Sequence, residues 1–287
     1  EKEKASKSLM QTSTGVLTNG IYTMVRILFN LIRNQKPTHM VVAWDVSRDT
    51  FRKRIYPEYK ANRGEAPKEL REQYRTMQWF LKEIGIAQYG LIDYEADDII
   101  GTFSTMFSKF IPTYIYTKDC DALQLVSELT SLWLITKKAK NQEDLPNNTL
   151  ELTPKLVEQH FQLKPNQIVD MKALAGDQGD NIPGAPGVGD KSAIALLKQY
   201  GTIENIYKEL ENEEEFRKEL KELGIKRIPV KNLIEGKKSA FLSKELATIK
   251  CDIKDLENVT IDDLILNINK EKTLKCLEEL EFKSIEI

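Results

Sequence analysis

The chain has 287 residues, 41% of them hydrophobic and 30% charged, with a formal net charge of -2. That much apolar material supports a substantial core in one or two domains of a soluble globular protein. A near-neutral total charge means that any polyanionic partner must be met by local basic surface and bound metal, because the molecule as a whole exerts no attraction.

No run of about 18 uncharged apolar residues is present, and Glu1 to Lys7 lack the apolar core of a secretory signal. Cys120, Cys251 and Cys276 are odd in number and widely spaced, which argues against a disulfide framework or a cysteine zinc site and points to a reducing cytoplasm.

In chain order, a polar stretch runs to about Thr18. Apolar residues at Ile21, Met24, Val25, Leu28, Leu31 and Ile32 then predict a helix over 21–33, ended by Pro37. Met40 to Trp44 reads as a parallel strand covered on both faces, with Asp45 at its C-terminal end, the edge where open α/β sheets bind ligands. Residues 46–86 read as a basic, aromatic insertion. Arg48, Arg52, Lys53, Arg54, Lys60 and Arg63 alternate with Phe51, Tyr56 and Tyr59 before Pro67 opens a second helix. Such a segment, leaving the sheet beside Asp45, would overhang the site with cations for phosphates and rings for bases.

A strand near Ala87–Ile92 leads into Tyr94-Glu95-Ala96-Asp97-Asp98, three carboxylates opening a helix through Ile99, Phe103, Met106 and Phe110. Acids are ordinary in a first turn, where unpaired N–H groups carry partial positive charge. Here, however, Asp119 and Asp121 follow the strand 113–117, and Asp177 and Asp180 follow Ala173-Leu174-Ala175. Carboxylates at the ends of four apolar elements would repel one another on convergence unless a divalent cation stood between them. With a short helix over 123–126 and a strand over 132–135, the alternation predicts an α/β fold with a doubly wound, mostly parallel sheet. An Asn/Asp-rich loop, 141–148, separates it from a helical remainder that begins near Leu152.

Within that remainder, Gly184-Ala185-Pro186-Gly187-Val188-Gly189-Asp190-Lys191-Ser192 opens a helix. Glycines allow close backbone approach to a phosphate, and a helix start aims N–H groups at it. An ordinary helix-turn-helix corner with Asp190 as N-cap is the competing reading. Residues 204–287 read as Lys/Glu-rich scaffold and peripheral basic surface.

Five stretches together carry a resemblance: Trp44-Asp45 with Thr50-Phe51-Arg52, Tyr59-Lys60-Ala61-Asn62-Arg63, Tyr94 to Asp98, Gly176-Asp177 through Asp180 to Gly184, and Ser243 to Lys250. From about Gly15 to about Lys283 the chain resembles the bacterial 5' nuclease (flap endonuclease) family. It is most similar to the 5'-3' exonuclease domain of DNA polymerase I and its stand-alone relatives.

The resemblance implies a PIN-like nuclease core over 1–150, with the arch inserted at 46–86. It also implies a helical DNA-binding region over 151–287, with a helix-three-turn-helix at about 166–200. One Mg2+ would be held by Asp45, Glu95 and Asp97 with Asp98 nearby, and a second by Asp119, Asp121, Asp177 and Asp180. Mn2+ would substitute, and K+ would sit at the three-turn. Ions roughly 3.5–4 Å apart would serve in-line phosphodiester cleavage. Lys60 and Arg63 would polarise the scissile phosphate, with Arg52 near the same path, while Gly184, Gly187, Val188, Gly189, Lys191 and Ser192 would grip the duplex. The expected partners are DNA with a 5' flap, 5' overhang or nick, and RNA-primed DNA, bound by a monomer away from membranes.

Two departures stand out. Thr117-Lys118-Asp119-Cys120-Asp121 replaces the family's Thr-Gly-Asp-(Lys or Arg)-Asp, keeping both carboxylates. The family's apolar first strand ending in Asp-Gly is also absent. Residues 1–9 are too polar to supply it, so the natural protein is expected to carry such a strand ahead of Glu1. The alternative reading is a structure-specific DNA-binding module that has lost turnover. A PIN-fold ribonuclease is weaker, since such domains lack the duplex-gripping turn.

Overall fold

In the computed structural model the described residues are 9–137, 139, 145–146, 148–225 and 228–287. Residues 1–8 and most of the 141–148 loop therefore lie outside them, as does the strand expected ahead of Glu1.

Helix α1 (Asn19–Gln35) buries Ile21, Val25, Leu28 and Phe29 on one face, as the apolar spacing demands. It ends at Lys36, whose left-handed backbone returns its N–H to Ile32 O. Strand β1 (Val41–Ala43) pairs in parallel with β2 (Ala87–Tyr89). Between them lie α2 (Phe51–Ile55) and α3 (Lys68–Ile84), the latter stopped by Gly85 at φ 89°, a left-handed cap that glycine adopts without a Cβ penalty. Helix α4 (Ala96–Phe107) leads to β3 (Thr113–Thr117), which pairs in parallel with β4 (Thr130–Ile135), and β4 pairs antiparallel with β5 (Thr149–Leu152).

Thus the fold is α/β with parallel pairing, but the strands form two sheets, ordered β1-β2 and β3-β4-β5, and no strand joins them among the described residues. Val41, Val42 and Ala43 are accordingly half-buried rather than covered on both faces. Strand β5 was not anticipated, and it carries the sheet across the expected boundary at 150.

Helices α5 (Pro154–Phe161), α6 (Ile168–Ala175), α7 (Asp190–Tyr200), α8 (Ile203–Glu209), α9 (Glu213–Glu222), α10 (Val230–Glu235), α11 (Lys237–Ala247) and α12 (Lys270–Glu279) follow. One core joins β3–β5 to α6–α8 through Ile115, Leu132, Leu152, Leu174 and Leu196. A second joins α1, α3 and α12. The C-terminal helix thus returns to the N-terminal one, and the two halves of the chain are interleaved.

The expected insertion is shorter than 46–86. Met77, Phe80, Leu81 and Ile84 of α3 are buried against α1 and α12, so 68–84 is a core helix and only about 46–67 stands at the site. Tyr59 is also buried, so it presents no ring for a base.

Candidate metal centre

Two of the signature segments prove to be parts of one object. The 58–63 turn is stitched onto the 177–182 loop: Lys60 N donates to Asp180 O at 2.9 Å, Asn62 Nδ2 to Gln178 O at 2.7 Å, Arg63 Nε to Gly179 O at 3.2 Å, and Asn181 Nδ2 to Glu58 O at 2.6 Å. Lys60 and Asn181 both take left-handed backbone, at φ 53° and 56°. That is uncommon for non-glycine residues and is maintained by surrounding contacts.

Side chains then converge. Lys60 Nζ donates to Glu95 Oε1 at 2.8 Å and stands 3.6 Å from Asp180 Oδ2, while Arg63 pairs with Asp180. The Tyr59 hydroxyl lies 3.1 Å from Glu95 Oε2 and 3.3 Å from Asp180 Oδ2, tying those two carboxylates together. Burial first, and then the two neighbouring carboxylates, push the pKa of that phenol well above its ordinary value, so it remains a donor. On the other side Lys172 of α6 donates to both Asp121 and Asp177, the latter at 2.6 Å. Asp177 Oδ1 caps its own loop, accepting from Gly179 N at 2.8 Å.

Electrostatics joins the pieces. Burial, followed by Asp119, Asp121 and Asp45, pushes Asp97 up to about 7. Burial also pushes Asp121 to about 6, outweighing Lys172, with Asp119 and Asp180 adding to the rise. For Asp177 burial is opposed by Lys172 and two backbone N–H groups, and the net direction is downward. The division into an Asp45/Glu95/Asp97 set and an Asp119/Asp121/Asp177/Asp180 set is not visible in these contacts. Glu95 shares partners with Asp180, and Asp97 feels Asp119 most strongly of its charged neighbours.

Two expected members stand elsewhere. Asp98 is fully buried and accepts from Arg52 Nη1 and Nη2 at 2.7 Å each, from Glu95 N at 3.0 Å and from Lys250 N at 2.8 Å. Its lone pairs are taken, so it is no metal ligand. Arg52, buried as well, also donates to Leu246 O and Thr248 O. It joins α2, α4 and the end of α11 and does not face a phosphate path.

The glycine turn divides in the same way. Gly184 and Val188 are buried. A Cβ on Gly184 would stand 2.4 Å from Gly176 N, so this glycine serves close packing of the turn on the metal-side loop, not contact with DNA. Ser243 Oγ accepts from Gly184 N at 2.9 Å. Gly187, Gly189 and Lys191 are exposed and Ser192 is half-buried, available to a ligand. The N-cap of α7 is Gly189, with Asp190 the first helical residue.

Among the described residues no three acidic, cysteine or histidine side chains stand close enough to hold an ion as placed. Among the described residues Asp45, Glu95, Asp97, Asp119, Asp121, Asp177 and Asp180 are offset by Lys60, Arg63 and Lys172; Arg52 also stands 3.7 Å from Glu95, but its charge is matched by Asp98. With all seven carboxylates ionised, the three cations leave an excess of four negative charges, the charge of two divalent ions. An all-oxygen donor set with that excess and two raised pKa values fits hard cations such as Mg2+ or Mn2+.

A pH test follows. Folded pKa values of about 7 and about 6 lie above the usual carboxylate range, so the stability that protonated Asp97 and Asp121 contribute is present below about pH 4 and lost as pH rises through 6–7. Divalent metal should therefore raise the melting temperature much more near pH 8 than near pH 5. Equal metal-induced shifts at both, by scanning calorimetry, would contradict the site.

Lys172 and the Tyr59 hydroxyl were not singled out from sequence. The available signal for Lys172 was a lysine beside the apolar Met171, Ala173 and Leu174, five residues before Asp177.

Comparison with known proteins identifies the family and the fold. Residues 4–162 match the N-terminal resolvase-like domain of 5'-3' exonucleases, and residues 163–272 match their C-terminal SAM fold. The chain is 40% identical over 266 residues to a 5'-3' exonuclease of Halalkalibacterium halodurans, covering 92% of this chain and 82% of that protein. It is 37% identical over 279 residues to DNA polymerase I of Bacillus subtilis, covering 96% of this chain but only 29% of the polymerase.

Solved structures share the fold. A bacteriophage T5 5'-exonuclease with bound zinc has a TM-score of 0.61 at 19% identity, over 91% of this chain and 90% of its own. A T5 flap endonuclease complexed with DNA and metal ions has a TM-score of 0.63 at 18% identity, over 90% of each chain. The catalytic core of Rad2 in complex with DNA substrate has a TM-score of 0.56 at 15% identity, over 92% of this chain and 80% of that one. Spanned almost end to end by the two family models, the chain belongs to the 5'-3' exonuclease family.

Proposed function

We propose that the protein is a two-metal 5'-3' exonuclease and flap endonuclease, hydrolysing phosphodiesters at 5' ends, flaps and nicks of DNA and in primer RNA, as a cytoplasmic monomer. The observation that carries this reading is the excess of four carboxylate charges directly beside Lys60 and Arg63. A protein that only bound polyanions would gain nothing from such repulsion, which disfavours the impaired-module alternative.

Asp45, Glu95, Asp97, Asp119, Asp121, Asp177 and Asp180 would hold two Mg2+ or Mn2+ ions, whose Lewis acidity lowers the pKa of a bound water and offsets phosphate charge. The chain's own contribution is positional. The stitched 58–63 turn presents Lys60 and Arg63 at the mouth of the site, with side chains 21% and 51% exposed, where a phosphate competes with Glu95 and Asp180 for their N–H donors. The exposed Gly187–Lys191 corner offers helix-start N–H groups and a cation to a duplex backbone, and K+ would sit against its carbonyls.

Mg2+-dependent release of product from a 5'-flap duplex tests the proposal. Tight binding without product at any metal concentration would instead establish the binding module. Within that assay, Lys60→Ala or Arg63→Ala should slow cleavage far more than it weakens binding. Lys191→Ala should weaken duplex binding and flatten its salt dependence by about one phosphate, a change in slope of roughly 0.9. Equal effects at the two places would contradict the assigned roles.

A further inference from the structure

Lys172 is buried on α6, and among the described residues its ammonium donates only to Asp121 and Asp177. An ammonium in such a place is tolerated when carboxylates pair it. These two carboxylates come from separate elements, the 3-10 turn Cys120–Leu125 and the loop after α6, so without a cation between them they would repel. The ammonium also takes oxygen lone pairs that a hard cation would need, Asp177 Oδ2 at 2.6 Å among them.

We propose that Lys172 is a resident counter-ion of the Asp121/Asp177 pair, holding the two ligands together in the metal-free protein and giving way to a divalent cation when one binds. The inference rests on the two-metal reading above. It makes Lys172 a positioning residue whose charge opposes metal binding, so that the site stays ordered when empty and releases its metal readily. An ammonium and a divalent ion cannot occupy the same oxygens, and the two therefore bind with negative coupling that is reciprocal. A purely structural lysine would act in the opposite direction, because its loss would scatter the ligands and weaken metal binding.

The test measures Mn2+ binding to the full chain without DNA, by calorimetry and electron paramagnetic resonance. Lys172→Met keeps the length and removes the charge, and should tighten one of two Mn2+ sites about tenfold. Its metal-induced rise in melting temperature should also exceed that of the unaltered protein. Lys172→Arg, which keeps the charge, should leave the affinity within about threefold. If Lys172→Met folds only with Mn2+, the metal has replaced the ammonium, as expected. Unchanged or weaker Mn2+ binding by Lys172→Met overturns the proposal, as does a variant that stays unfolded at saturating Mn2+. Failure of both the unaltered protein and the variant to bind Mn2+ overturns the two-metal reading and this inference together.

Discussion

Asp180→Asn should reduce cleavage of a 5'-flap duplex by roughly two to three orders of magnitude, the scale on which losing one charge-positioning group acts at such centres, while DNA binding stays equal or tightens. The contacts explain both halves. Asp180 is buried and accepts from Arg63, shares Tyr59 with Glu95, and lies 3.6 Å from Lys60. Asn is nearly isosteric, so the stitched loops persist, but one unit of ligand charge is gone. Lys60 and Arg63 then lose an intramolecular anion and become freer for phosphate, and removing a negative charge cannot weaken attraction to a polyanion. Asp177→Asn should behave likewise through Lys172. Single-turnover rates and filter-binding affinities measured on the same preparations check the prediction, and unchanged cleavage by both variants would remove these residues from the mechanism.

Arg52→Ala has the opposite profile, with its effect on stability rather than chemistry. The variant leaves Asp98 buried with an uncompensated charge and frees the carbonyls of Leu246 and Thr248. Breaking a buried pair by removing one partner costs about 3–5 kcal/mol. At roughly 2–4 °C per kcal/mol for large domains, the melting temperature should fall by roughly 10 °C. Arg52→Lys should recover only part of this, because a single ammonium cannot make the forked contact to both Asp98 oxygens while reaching two carbonyls. A variant with normal melting and lost cleavage would show that Arg52 acts on substrate after all.

Much of this was legible from residues alone, where the physics is local. The 3.6-residue spacing of Ile21, Val25 and Leu28 dictates α1 whatever it packs on. Likewise, acids at the ends of Met40–Trp44, Thr113–Thr117 and Ala173–Ala175 announce a shared charge problem before any coordinate is known. What sequence order cannot express is which cation solves it. Lys172, on a different element from Asp121, becomes its partner only because α6 lies beside the Cys120–Leu125 turn. Asp98 differs from Asp97 by one position, about 100° around a helix. That rotation sends Asp98 inward to Arg52 and leaves Asp97 among Asp119, Asp121 and Asp45. Composition and spacing determined that carboxylates and cations would gather at the ends of apolar elements. Only the tertiary structure decided which carboxylates remain in excess, because pairing depends on distances of a few ångströms between elements that the chain places 35 to 117 residues apart.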